Sequence, residues 1–157
     1  MTELEIFNHL FEISKQSDDK GGVVTSCLVR DGKIIASGIS TNNGIHSEYA
    51  LLQNLKSAGE SILENDIVYT TVEPCGKRSP GGQGEKYGDC TTNLIQAGVK
   101  KVVYAAADPD ASETTRHKFI TAGSELTQVH DKQIIKWALE IFNSTVSGHH
   151  QALPEQD

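Results

Sequence analysis

Residues 67–75 read IVYTTVEPC, an apolar β-branched run that leads directly into Glu73-Pro74-Cys75. Valine, isoleucine and threonine at this density favour a buried strand over Ile67–Val72. The residues from Glu73 to Asp89 are rich in glycine, proline and charge, and they predict a loop. The stretch therefore predicts a buried strand that ends beside a carboxylate and a thiol.

Helical and extended patterns alternate on both sides of this strand. Apolar residues at three- and four-residue steps predict helices, whereas β-branched runs predict strands. Asp31-Gly32 lies between the first two strands and is typical of a tight β-hairpin. The predicted helices are Thr2–Gln16, Ser47–Leu55, Thr91–Ala97, Ser112–Ala122 and Asp131–Thr145, and the predicted strands are Val23–Val29, Lys33–Ile39, Ile67–Val72, Lys101–Ala107 and Glu125–Val129.

This order of elements predicts an α/β fold. Strands joined through helices form a mostly parallel sheet with helices on both faces. We therefore expect a three-layer α-β-α sandwich around a mixed, mostly parallel five-stranded sheet, in a single domain over residues 1–146. A chain of 157 residues is long enough for one such domain. Residues 147–157 are polar, and we expect a disordered tail there.

The charge balance limits the classes of partner. The chain carries 14 basic and 21 acidic residues, for a net charge of -7. Such a surface repels phosphate backbones, so nucleic acid is not an expected partner, although a few local cations could hold one phosphate of a small molecule.

The same sequence suggests a compartment. No apolar run reaches the ~20 residues of a membrane span, and the N-terminus has acids where a secretory signal has cations. We expect a cytoplasmic protein whose three cysteines are thiols or metal ligands rather than disulfide partners. Cys27 lies in an apolar strand and is interpreted as a small buried hydrophobe.

Two short segments supply metal-binding chemistry: His46-Ser47-Glu48, and Pro74-Cys75 with the later Cys90. One imidazole and two thiolates with an open fourth position are typical of a catalytic zinc site, whereas a structural site has four protein ligands. We predict Zn²⁺ on His46, Cys75 and Cys90, where it lowers the pKa of a bound water to about 7. Both segments precede predicted helices, whose N-termini favour thiolates.

Glu48 lies two residues after the predicted ligand His46, so it can face the metal without binding it. A free carboxylate at that place can move protons between water and a substrate. An acid in the first helical turn that stabilises the helix dipole is the alternative interpretation. We predict that Glu48 is the catalytic acid and base.

The order His-x-Glu, then Pro-Cys, then a second cysteine resembles that of zinc deaminases. The chain resembles the cytidine-deaminase-like superfamily, and more closely the pyrimidine deaminase domain of riboflavin biosynthesis. The matching features are Glu-Pro-Cys, the basic and proline-containing insertion at residues 76–89, LIQAGVKKVV at residues 94–103 and Asp108-Pro109-Asp110. The resemblance spans roughly residues 23–129.

That resemblance implies a cytidine deaminase-like fold. It also implies a zinc-dependent hydrolase of the aminopyrimidine deaminase type, acting on a small pyrimidine or nucleobase-type substrate. Homo-oligomerisation is a further expectation, since members of the superfamily often complete their pockets across subunits.

Three departures from the family pattern concern the substrate and the metal. The chain has Gly21-Gly22-Val23 where such proteins have an Asn-Pro-containing entry to the first strand. Ser47 follows His46 where alanine is common. In the usual pattern two residues lie between the cysteines, whereas here residues 76–89 lie between them. A metal site tolerates the longer loop because only the ligands must converge.

Four polar residues are candidate substrate ligands. Lys77 and Arg78 could hold a substrate phosphate or belong to a solvated loop. Asn42 and Asn43, shortly before His46, could bind a sugar or a ring or simply form a turn. The leading hypothesis is deamination of a riboflavin-pathway aminopyrimidine or of a nucleoside or nucleotide. Deamination of a base in RNA or DNA and a non-catalytic zinc-stabilised binding module are the alternatives.

Overall fold

Helices and strands alternate through the computed structural model, which describes residues 1–78, 80–108 and 112–144. The elements agree in type and order with the ten that the sequence predicts, and their ends differ by two residues at most. The predicted tail at 147–157 lies outside the described residues, as do Pro109 and Asp110. The bounds are α1 Glu3–Ser14, β1 Thr25–Arg30, β2 Lys33–Ile39, α2 Ser47–Ser57, β3 Ile67–Val72, α3 Cys90–Gln96, β4 Lys101–Ala106, α4 Ser112–Ala122, β5 Glu125–Gln128 and α5 Lys132–Asn143.

The sheet has the strand order β2-β1-β3-β4-β5. The predicted hairpin joins β1 and β2, and both Asp31 (φ 51°) and Gly32 (φ 74°) have positive φ, as a type I′ turn requires. Strand β1 is also antiparallel to β3, whereas β3, β4 and β5 are mutually parallel. Four strands therefore point the same way and β1 opposes them, which confirms the mixed sheet.

The helices cover both faces of this sheet, which confirms the three-layer architecture. Helices α1 and α5 pack on one face, where Phe7 and Leu10 meet Ile134 and Phe142 in a buried cluster. Helices α2, α3 and α4 pack on the other face, around a second cluster that includes Leu51. No helix among the described residues is long and apolar enough to span a bilayer.

One edge of the sheet gathers the features that the sequence singles out. Because β3 and β4 are parallel, their carboxyl ends lie side by side, with Val72 opposite Ala106. Helix α2 begins close to β2, since a Cβ on Gly38 would overlap the carbonyl oxygen of Ser47. In open α/β sheets, ligands bind at the carboxyl ends of the strands. The segments with His46, Cys75 and Cys90 all reach this edge.

Candidate functional site: a histidine and two cysteines beside a buried glutamate

His46, Cys75 and Cys90 come from three different elements. His46 is the residue before α2 and makes no side-chain cap bond, so its ring is not held by the helix end. Cys90 is the first residue of α3, whose N-cap Asp89 accepts a hydrogen bond from Thr92 N. Cys75 follows β3 in a loop. The glycine, proline and charge of residues 73–89 predict this loop.

The N-terminus of α3 nevertheless reaches Cys75. The backbone N–H of Cys90 donates to Cys75 Sγ across 3.2 Å. Orphan N–H groups at a helix start stabilise nearby negative charge. Both sulfurs therefore share one helix N-terminus rather than having one each.

The three side chains converge with their ligand atoms within 4.8 Å of one another. His46 Nδ1 lies 3.5 Å from Cys75 Sγ and 3.3 Å from Cys90 Sγ. A tetrahedral zinc with ordinary Zn–N and Zn–S bonds keeps such atoms about 3.5–3.8 Å apart. One imidazole and two thiols at this spacing suit zinc and leave a fourth position for a non-protein ligand.

The two cysteines have opposite protonation tendencies. A hydrogen bond from Cys90, assisted by His46, lowers the pKa of Cys75 to about 4 although burial opposes the shift. The same hydrogen bond and burial raise the pKa of Cys90 well above its ordinary value. The pair therefore holds one proton when no metal is bound, and a metal would displace it.

Glu48 lies in the first turn of α2 and is 3% exposed. Ser47 Oγ donates to Glu48 Oε1 across 2.7 Å. Ser26 Oγ lies 2.6 Å from Ser47 Oγ, and since the proton of Ser47 goes to Glu48, Ser26 is the donor in that contact. Burial raises the pKa of Glu48, against the lowering effects of His46 and Ser47. A solvated first-turn acid would not have this environment, and the role of Glu48 as catalytic acid and base stays a prediction.

A cavity of about 110 Å³ opens beside the convergent ligands. Its walls include Glu73, whose Oε1 accepts from the backbone N–H of Asp108 across 3.1 Å. The lining residues are Gly21, Gly22, Val24, Ser40, His46, Glu48, Val72, Glu73, Cys75, Asp108 and Phe142. Two of the three predicted ligands, His46 and Cys75, therefore line the same cavity as Glu48.

Gly22 and Phe142 form one wall of this cavity together. Gly22 has a φ of 114°, and a Cβ there would overlap the Phe142 ring. The sequence shows Gly21-Gly22 as a departure from the family, but nothing in it links this pair to a phenylalanine at the end of α5. The structure thus places an apolar ring behind the two glycines.

The four predicted substrate ligands do not form the walls of the cavity. Asn42, Asn43 and Lys77 are exposed. Asn42 is tied to the loop before β1, because its N–H donates to Asp18 Oδ1 across 3.0 Å. None of these four residues, all within the described part of the chain, lines the cavity. Their contact with a substrate stays a prediction.

Arg78 is engaged inside the protein. Its Nη1 donates to Gly44 O across 3.1 Å and to His46 Nε2 across 3.0 Å, and its Nε donates to Gly88 O across 2.8 Å. Nη2 is buried without a hydrogen-bond partner. A guanidinium can only donate, so His46 Nε2 is the acceptor in this geometry.

The loop of residues 76–89 crosses the segment before His46 at two glycines. A Cβ on Gly44 would lie 2.8 Å from Gly84 N, and a Cβ on Gly84 would lie 2.6 Å from Gly44 O. A short 3₁₀ helix, Glu85–Tyr87, follows this crossing. The insertion is therefore packed against the ligand-bearing segment.

The third cysteine and the other histidines after His46 do not belong to this cluster of ligand atoms among the described residues. Cys27 is fully buried in β1, and burial raises its pKa to about 12. Both findings agree with its interpretation as a small buried hydrophobe. His117 and His130 are exposed. His149 and His150 lie outside the described residues.

The chain is similar to known proteins in family, sequence and structure. A model of the "Cytidine and deoxycytidylate deaminase zinc-binding region" matches residues 2–106. The riboflavin biosynthesis protein PYRD, chloroplastic, of Arabidopsis thaliana is 31% identical over 127 residues, which are 76% of this chain and 26% of that protein. The chain spans 20–26% of the length of the first curated relatives that it matches.

Two solved structures share the fold. The Thermotoga maritima diaminohydroxyphosphoribosylaminopyrimidine deaminase/5-amino-6-(5-phosphoribosylamino)uracil reductase has a TM-score of 0.69 at 28% identity, over 91% of this chain and 41% of that one. The Aspergillus oryzae Rib2 deaminase in complex with DARIPP has a TM-score of 0.69 at 18% identity, over 92% and 91% of the two chains. The second likeness concerns the fold alone.

Proposed function

The chain belongs to the cytidine and deoxycytidylate deaminase zinc-binding family, and from this premise we propose that it hydrolytically deaminates a small amino-substituted pyrimidine. The substrate is a riboflavin-pathway aminopyrimidine or a nucleoside or nucleotide. One observation carries the proposal: His46 Nδ1 and the sulfurs of Cys75 and Cys90 converge next to the buried Glu48 at a cavity. The names of the relatives support the riboflavin-pathway ring, although the chain matches only part of their length.

The residues of the site have separate roles in this mechanism. His46, Cys75 and Cys90 would hold zinc, which supplies a Lewis acid that lowers the pKa of water to about 7. Glu48 accepts a proton from the water that attacks the carbon bearing the exocyclic amine. It then delivers protons to the ring nitrogen and the leaving amine, so that water and the amine give a carbonyl and ammonia. Burial of Glu48 excludes bulk water from these transfers.

The experiment that tests the function is an ammonia-release screen of the zinc-loaded protein. The panel covers cytosine, adenine and guanine compounds, their nucleotides and the riboflavin-pathway aminopyrimidine. We expect turnover of a pyrimidine and a loss of about 10²–10⁴-fold in Glu48→Gln with zinc content unchanged. Glu64→Gln, at an exposed position, is the matched control with full activity.

The alternatives give different results in the same screen. A zinc-loaded protein that releases no ammonia from any compound is a non-catalytic zinc-stabilised module. Salt-sensitive binding to a labelled oligonucleotide would favour a base in RNA or DNA, which the net charge of -7 opposes. Full activity of Glu48→Gln would contradict the proposed mechanism, in which Glu48 transfers the protons. Self-association, which the family resemblance predicts, is measured separately by sedimentation.

A further inference from the structure

The backbone around Cys75 is held from outside the metal site. Three consecutive carbonyls, those of Pro74, Cys75 and Gly76, each accept a hydrogen bond. Cys75 O accepts from the N–H of Thr91 in α3 across 3.0 Å. The two flanking carbonyls accept from side chains of α4, an element that contributes none of the predicted metal ligands, and Pro74 O accepts a second, longer bond of 3.4 Å from Thr91 Oγ1.

Thr115 and Lys118 are the two donors on α4. Thr115 Oγ1 donates to Pro74 O across 2.9 Å, and Lys118 Nζ donates to Gly76 O across 2.8 Å. Residues three apart on a helix share a face, so both donors point at the same loop. Helix and loop approach closely here, because a Cβ on Gly76 would lie 2.8 Å from Thr115 Oγ1.

Lys118 also reaches the segment that carries the second cysteine. Its Nζ lies 3.2 Å from Asp89 Oδ1 and 3.2 Å from Thr92 Oγ1. Asp89 is the N-cap of α3, and Cys90 is the next residue. One ammonium group thus links the loop after Cys75 to the helix start at Cys90. The Lys118 side chain is 35% exposed, so its ion pair is partly screened, and its position between the two segments matters more than its charge.

We propose that Thr115 and Lys118 are positioning residues that set the separation of Cys75 and Cys90 and thereby the affinity for zinc. Because of the long insertion between the cysteines, no short turn fixes the two sulfurs relative to each other, and their separation depends on the backbone bonds from Cys90 and Thr91 to Cys75 together with these side-chain contacts. Groups that orient metal ligands from outside the coordination shell typically change metal affinity 10–100-fold when they are removed. The proposal rests on the proposed function only through the metal site that both share.

The test measures metal binding rather than turnover. Thr115→Val and Lys118→Met each remove one donor and keep most of the side-chain volume. Thr25→Val is the control for a buried threonine hydroxyl that donates to a backbone carbonyl, and Lys101→Met is the control for a lysine in a salt bridge. Zinc dissociation constants come from competition with a chromophoric chelator, and the visible spectrum of the cobalt-loaded proteins reports ligand geometry.

We expect zinc to bind at least tenfold more weakly to Thr115→Val and Lys118→Met than to the controls, with weaker tetrahedral cobalt bands. Affinities within threefold of wild type and an unchanged cobalt spectrum in both variants would overturn the proposal. Wild-type protein that binds no zinc would overturn this proposal and the proposed function together. If the wild-type protein releases no ammonia but the variants still bind zinc more weakly, the positioning role is supported and only the proposed deaminase activity is contradicted.

Discussion

Arg78 Nη1 donates to Nε2 of His46 while Nδ1 of the same ring faces the two cysteine sulfurs. A neutral histidine that accepts at Nε2 carries its proton on Nδ1. If Nδ1 held a metal, the ring proton would lie on Nε2, facing Arg78, which cannot accept it. The arginine contact and a metal at Nδ1 therefore require opposite tautomers of His46.

Arg78→Gln should bind zinc more tightly than wild type. The amide oxygen of glutamine can accept from Nε2–H, which supports the metal-bound tautomer, and a positive charge next to the metal is removed. We expect a severalfold gain in affinity by chelator competition. Arg30→Gln, which breaks an ion-pair network elsewhere, is the control with unchanged zinc affinity. A tenfold loss in Arg78→Gln would show instead that Arg78 supports the metal-bound ring.

Ser47→Ala should slow turnover without weakening substrate binding. Ser47 holds Oε1 of Glu48, so its removal frees the carboxylate to rotate. We expect kcat to fall about tenfold, equivalent to about 1.4 kcal/mol of barrier, at an unchanged KM. The hydrogen bond lowers the pKa of Glu48, so its loss raises that pKa further. A base acts in its ionised form, and the acidic limb of the pH profile of kcat/KM should therefore move to higher pH.

The Ser26 contact gives this prediction a control. Ser26→Ala leaves the Ser47–Glu48 bond in place and should cost less than Ser47→Ala. Because both serines act through the same carboxylate, the double variant should be no slower than Ser47→Ala alone. Additive losses in kcat would mean that the two hydroxyls act independently.

Gly22→Ala should destabilise the protein more than Gly59→Ala. Both glycines have positive φ, but Gly59 has open space around its Cβ position, whereas Gly22 faces Phe142. The backbone strain alone costs about 1–2 kcal/mol. Overlap with the ring adds about 1–3 kcal/mol. Thermal denaturation of the two variants separates these effects. Equal midpoint temperatures would show that the Phe142 ring can move aside at little cost in free energy.

Cys75 should be the first thiol to react with iodoacetamide in metal-free protein near pH 6. A pKa lowered to about 4 keeps this thiol ionised at that pH, and the sulfur lines the cavity. Cys27 has a pKa raised to about 12 and stays protonated, and Cys90 is raised as well. Zinc should block the reaction. Peptide mapping by mass spectrometry identifies the modified residue, and faster modification of Cys27 would contradict the assignment.

The fold followed from sequence patterns wherever the signal is local. The hairpin was predicted from Asp31-Gly32, and the strand β3 from its β-branched run. The direction of β1 relative to β3 could not be predicted. The connection between these strands contains β2 and α2, and its length does not determine whether they pair parallel or antiparallel.

The ligand set was likewise predictable from residue types and their order, but its surroundings were not. The Thr115 and Lys118 contacts join residues 41 and 42 positions apart, and no periodicity marks such a pair. The same holds for Phe142 behind Gly22. Nor does the sequence show that Cys75, in the loop after β3, accepts a hydrogen bond from the N–H at the start of α3.

The crossing of Gly44 and Gly84 has a consequence for how this chain can diverge. Neither position has room for a methyl group while the other backbone stays where it is. A substitution at one glycine is therefore tolerated only if the backbone of the other loop moves away. The sequence at positions 44 and 84 must accordingly change together. Transplanting residues 76–89 into a relative would accordingly require carrying residue 44 along with them.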